Sequence, residues 1–110
     1  MQTEKDFAQK IFTDVREMSK SDLGVTRLGY SEKETQVLRY LEKVALGLGM
    51  NCSYDEAGNL WMTLEGKHPE RPFLMVASHA DSVPEGGNFD GLAGIVSGLC
   101  AAKAIKESGI

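Results

Sequence analysis

Three side chains able to hold a cation fall within a dozen positions of this sequence. They are His79, Asp81 and Asp90, in the stretch Ser78-His79-Ala80-Asp81-Ser82-Val83-Pro84-Glu85-Gly86-Gly87-Asn88-Phe89-Asp90-Gly91. His79 and Asp81 are two residues apart, so on extended backbone they point to the same side. An imidazole can then bind a metal through one ring nitrogen while the carboxylate accepts the other N–H and fixes the tautomer. Asp90 follows eleven residues after His79, between Gly86-Gly87 and Gly91, and glycines let the backbone fold back tightly over the same point. Histidine and aspartate are suitable zinc ligands, and one carboxylate can bridge two metals ~3.5–4 Å apart. Two other readings of the spacing stand beside this one. His79 can be an ordinary surface histidine followed by plain turn glycines. The glycine-rich loop ahead of a helix can also be a phosphate cradle. Against the cradle, no Gly-Lys-Ser/Thr follows, and Asp81, Glu85 and Asp90 repel an anion.

Other polar and aromatic residues carry less. His68 lies in a polar loop beside Pro69 and reads as solvated, Cys100 on an apolar helix as core, and Tyr54 and Trp61 as hairpin packing. Arg27 has the geometry to grip a carboxylate with two N–H groups, but an exposed structural role is the plainer expectation. Glu85 reads as a loop acid.

The elements that position these residues follow from periodicity. Phe7, Ile11, Val15 and Met18 mark one face of a helix over 4–18. A loop punctuated by Gly24 and Gly29 leads to Ser31, which with Glu34 forms an S-x-x-E capping box. Val37, Leu38, Leu41, Val44, Ala45 and Leu48 stripe the second helix, and Gly49 is a natural stop. Strands over 50–55 and 60–65 flank the turn Asp55-Glu56-Ala57-Gly58-Asn59, a hairpin. Residues 73–78 are continuously apolar until Ser78 and predict a third strand, buried on both faces. The chemistry-bearing loop starts at its carboxyl end, where open α/β sheets bind ligands. A helix over 91–107 closes the series. The order α-α-β-β-β-α implies an α/β fold with helices packed on a mixed sheet. The last helix is apolar almost all round and needs cover on most sides, so self-association through Gly91 to Ile105, a homo-oligomer, is expected.

Composition sets the outer limits. The 110 residues carry 12 Lys+Arg against 16 Asp+Glu, a formal net charge of -4. That balance offers no basic footprint for nucleic acid. Hydrophobic residues make up 42%, enough for a folded core rather than a disordered chain. Cys52 and Cys100 form no C-x-x-C pair and read as two reduced thiols of a cytoplasmic protein. No apolar run reaches the ~18 residues of a membrane span, and the charged first twenty residues hold no signal-peptide core.

The Ser78–Val83 and Gly86–Gly91 stretches resemble the metal-site segment of zinc-dependent aminoacylase and carboxypeptidase-like hydrolases. They resemble most their hydantoinase/carbamoylase branch: N-carbamoyl-L-amino-acid hydrolases, allantoate amidohydrolases and beta-ureidopropionases. Gly24-Val25-Thr26-Arg27-Leu28 and Asp55-Glu56-Ala57-Gly58-Asn59-Leu60 resemble that branch's segment after the first helix and its hairpin turn, so the likeness runs from about residue 5 to 107. The resemblance implies a partial zinc-exopeptidase-like catalytic domain, with His79 a ligand of one metal, Asp81 the carboxylate that orients it, and Asp90 a bridge between two ions. It implies two divalent ions per complete site: zinc, or manganese, cobalt or nickel. The implied reaction is hydrolysis of a linear C–N bond in a small amide or ureido substrate, by water activated at the metals with a glutamate as general base. That glutamate, the remaining ligands and the dimerisation domain follow later in the family, so residues 1–110 read as the N-terminal part of one catalytic domain. A metallo-aminopeptidase or dipeptidase of the same superfamily, or a truncated non-catalytic binding or assembly module, are the alternatives.

Overall fold

The computed structural model describes residues 3–109; Met1, Gln2 and Ile110, which the sequence reading included in the same unit, lie outside the described residues. Five elements form in the order α1 (Glu4–Ser19), α2 (Glu32–Gly47), β1 (Asn51–Tyr54), β2 (Leu60–Thr63) and α3 (Leu92–Ser108). The first two helices start where the sequence provides a side-chain cap, whereas α3 starts after Gly91 without one. Thr3 accepts from the Asp6 N–H, and Ser31 from the Glu34 N–H at 3.2 Å. The Glu34 carboxylate reaches back one residue further than a standard capping box, to the Tyr30 N–H at 2.8 Å, because the Ser31 N–H already bonds the Leu28 carbonyl.

The core is built from the faces that periodicity marks. Phe7, Ile11 and Val15 of α1 meet Val37, Leu41 and Ala45 of α2 and Leu92, Val96 and Leu99 of α3, joined by Met50 and Ala80. The hairpin pairs antiparallel, with Cys52 opposite Met62 and Tyr54 opposite Leu60. Cys52, Leu60 and Met62 face the core, as the alternation requires. Trp61 corrects the expectation of hairpin packing. It lies on the outer face, and its ring N–H donates to Asp55 across the turn. Tyr54 does pack, half-buried, under the Arg39 guanidinium.

The expected third strand does not form. Among the described residues, 73–78 have no ladder partner and the sheet is the two-stranded hairpin alone. Phe73, Leu74, Met75 and Val76 are exposed, Leu74 at 99%. A strand buried on both faces needs neighbours beside it and layers above and below, and none of the described residues supplies them. What places the end of this stretch is α3. Gly91, Gly94 and Gly98 fall at helical spacing, and a β-carbon on Gly94 would lie 2.7 Å from the Ser78 β-carbon and one on Gly98 3.4 Å from Val76. The bare glycine row lets residues 76–79 lie directly on the helix, and the Ser78 hydroxyl donates to the Gly91 carbonyl at 2.7 Å. The uncovered sides of α3 carry Ala93, Ala101 and Ile105.

Candidate metal centre

The loop from His79 to Gly91 returns over its own start. His79 Nδ1 is 3.0 Å from Asp81 Oδ1 and 3.2 Å from the Asp81 carbonyl oxygen. His79 Nε2 is 3.2 Å from Asp90 Oδ1. The three residues singled out from the sequence therefore meet on one imidazole, with an acid at each ring nitrogen. All three side chains remain open to solvent, Asp90 most of all. With the ring proton on Nδ1, towards the two Asp81 oxygens, Nε2 and Asp90 Oδ1 would face each other as two acceptors, a pair that either a second ring proton or a bound cation would satisfy. Two tetrahedral zinc ligands stand roughly 3.3 Å apart at ordinary Zn–N and Zn–O lengths, so the pair fits a divalent ion. Among the described residues, no group of three or more His, Cys, Asp or Glu side chains forms a fuller ligand set. His68 stands apart from this centre, exposed beside Glu70. Cys100 is half-buried against the core, a free thiol like Cys52.

What holds this loop is the segment Gly24–Leu28, to which spacing alone gave no function. Val25 and Gly86 exchange both backbone hydrogen bonds, at 2.9 and 2.8 Å. The Ser82 N–H donates to the Arg27 carbonyl at 2.8 Å, and the Arg27 N–H to the Ser82 hydroxyl at 3.0 Å. Gly24 sits so close to the Glu85–Gly86 backbone that a β-carbon would lie 3.0 Å from the Glu85 carbonyl. Glu85 is more than a loop acid. Its carboxylate accepts the Leu23 and Gly24 N–H groups at 2.6 and 3.1 Å, and these bonds, the Leu23 one foremost, hold its pKa below the usual value. Its own φ of 51° is a left-handed turn that those contacts sustain.

Arg27 overturns the expectation of an exposed side chain. It is fully buried. Its Nε donates to the Ala80 carbonyl at 2.6 Å and its Nη1 to the Asn88 side-chain oxygen at 3.2 Å, while Nη2 has no hydrogen-bond partner. Burial pushes its pKa down and the nearby Asp81 charge opposes that shift. Asn88 in turn donates to the Phe12 carbonyl at 3.0 Å, and Phe89 stacks edge-on against Phe12 at 5.0 Å. The loop that ends in Asp90 is thus tied to α1 as well. The one sequence signal for Arg27 was its place within Gly24–Leu28, a segment singled out by its family resemblance; nothing in local hydropathy marks it as buried.

No protein-family profile matches the chain. Among individual proteins, the N-carbamoyl-L-amino-acid amidohydrolase of Paenarthrobacter aurescens is 37% identical over 112 residues, covering 99% of this chain and 27% of that protein. A ureidoglycolate hydrolase of Oryza sativa subsp. japonica is 31% identical over 107 residues, covering 96% of this chain and 22% of its own length. Among solved structures, a hydantoinase/carbamoylase family amidase from Burkholderia ambifaria superposes with a TM-score of 0.89 at 27% identity, over 94% of this chain and 26% of that one. The chain spans about a quarter of the length of these relatives.

Proposed function

This chain is homologous, over nearly its whole length, to one stretch of the hydantoinase/carbamoylase amidohydrolases, and from that kinship we propose that it carries part of a divalent-metal centre for hydrolysing a linear C–N bond. The substrate class is a small carbamoyl, ureido or amide compound, such as an N-carbamoyl amino acid, ureidoglycolate or allantoate. The observation that carries the reading is the His79 ring held between Asp81 at Nδ1 and Asp90 at Nε2. The names of the relatives, all hydrolases, support the reaction class.

In this reading His79 Nε2 and Asp90 would hold the ion, and Asp81 would keep the Nδ1 proton so that Nε2 presents its lone pair. A divalent ion held there, zinc or manganese, would supply Lewis acidity to polarise a carbonyl oxygen and make a water more acidic. The chain's own residues orient the ligands and leave one side open to solvent, where a substrate can approach. We assign the remaining ligands, the general-base glutamate and any dimerisation surface to the part of the relatives' length that this chain does not span. The two free thiols accord with a reducing compartment, and we place the protein in the cytoplasm on that ground; among the described residues no helix is long and apolar enough to cross a membrane.

Calorimetric titration with Zn²⁺ and Mn²⁺ tests the centre. The chain is expected to take up metal, and His79→Ala to lose that uptake while His68→Ala keeps it. Equal uptake by the His79→Ala chain overturns the reading. A second reading rests on the uncovered Phe73–Val76 row: an assembly module that pairs through it. Sedimentation decides between them, because a monomer at high concentration counts against assembly and leaves the metal centre untouched.

A further inference from the structure

We propose that Arg27 is a positioning residue for the metal centre: its buried guanidinium fixes the separation of His79 and Asp90 by gripping the two backbone segments that carry them. The inference rests on the metal reading only for its consequence; the geometric claim stands by itself. One end of the grip is the Ala80 carbonyl, between His79 and Asp81, held by Nε at 2.6 Å. The other end is Asn88, two residues before Asp90, held by Nη1 at 3.2 Å. The Arg27 backbone adds two further bonds, to Ser82.

A guanidinium is an unusual choice for a purely structural brace. It is fully buried, one of its nitrogens is left without a partner, and removing a charge from water is costly. A neutral side chain would fill the same space without that cost. What the planar fork supplies instead is two donors at a fixed angle, pointing to two segments at once. It also places a positive charge near Asp81, the carboxylate that faces His79 Nδ1.

The test uses nuclear magnetic resonance on the chain, whose two histidines make the imidazole signals easy to assign. Without metal, the wild type is expected to show an Overhauser contact between the His79 ring and the Asp90 β-protons, and a single Nδ1–H tautomer. Arg27→Met is expected to lose both while the hairpin and α2 resonances stay in place, and Arg27→Lys to recover part of the contact. With Mn²⁺ as the probe, selective broadening of the His79 ring is expected to need about tenfold more metal in Arg27→Met than in wild type. A folded Arg27→Met chain with an unchanged contact and tautomer overturns the proposal. Should Arg27→Met fail to fold, Asn88→Ala cuts the grip at its other end with Arg27 in place, and an unchanged contact there overturns it equally. A wild type that keeps the His79–Asp90 contact yet shows no Mn²⁺ broadening overturns the metal reading and leaves the positioning role to the metal-free comparison.

Discussion

The His79 imidazole rests against the bare α-carbon of Gly91. A β-carbon on Gly91 would lie 2.5 Å from the ring's Cε1 and 2.6 Å from its Nδ1. Gly91 also has a φ of 75°, in the left-handed region, and it is the N-cap residue immediately before α3. The same atom position therefore sets the start of the helix and the seat of the candidate ligand. Gly91→Ala is expected to destabilise the chain by about 1–3 kcal/mol and to displace the His79 ring. Urea unfolding measures the first effect, and loss of the His79–Asp90 contact the second. A variant as stable as wild type with the ring in place would contradict both.

The hairpin turn reports its own protonation. The Trp61 ring N–H donates to Asp55 Oδ2 at 3.0 Å, and the Asn59 side chain and backbone donate as well. These bonds, led by Trp61, pull the Asp55 carboxyl from its ordinary 3.8 down to about 2. A depressed folded-state value means the contribution is fully present above the unfolded value and is lost as pH falls through the folded one. Fluorescence of Trp61, the one tryptophan in the chain, is expected to titrate with a midpoint near that of Asp55, about 2. Asp55→Asn is expected to abolish the transition. A midpoint at the ordinary value would show that the turn does not close as described.

Apolar residues in this chain contribute unequally. Leu41 is fully buried among the three helices, whereas Leu74 is almost wholly exposed. Leu41→Ala is expected to cost about 2–5 kcal/mol, and Leu74→Ser to fall within about 0.5 kcal/mol of wild type. Paired thermal melts check this. A large loss from Leu74→Ser would mean that residues 73–76 are covered in solution.

Tyr40 links α2 to α1. Its hydroxyl donates to Asp14 Oδ2 at 2.6 Å. That bond is the main cause of the lowered Asp14 pKa, while burial, then the bond to Asp14, pushes Tyr40 well above its ordinary value. Tyr40→Phe is expected to cost about 1 kcal/mol and to raise the Asp14 pKa. The Asp14 contribution to stability, present at neutral pH and lost on acidification, then disappears at a higher pH than in wild type. Carbon-detected titration of Asp14 together with acid unfolding reads both changes.

Much of this architecture is legible in the residue order, because helices and hairpins are local. The stripes of α1 and α2, the Ser31 cap, the Asp55–Asn59 turn and the facing of Cys52 and Tyr54 all depend on residues within one or two turns of each other. The pairing of His79 with Asp81 is local in the same sense, and the glycines around Asp90 announced that the loop folds back. Residues 73–78 show the limit. Their composition describes a strand enclosed by a sheet, and whether a sheet encloses them depends on segments that composition does not contain.

What the order of residues determined by itself is the set of chemical groups and their local conformations: an imidazole, two carboxylates, and the glycines that permit the return. Only the tertiary structure decided that Arg27 is buried, that Glu85 is stapled to Leu23 and Gly24, and that α3 offers a glycine row for residues 76–79. Those facts join positions up to 62 residues apart. No local pattern encodes such contacts, since each exists only once the helices have packed and the chain has met itself again.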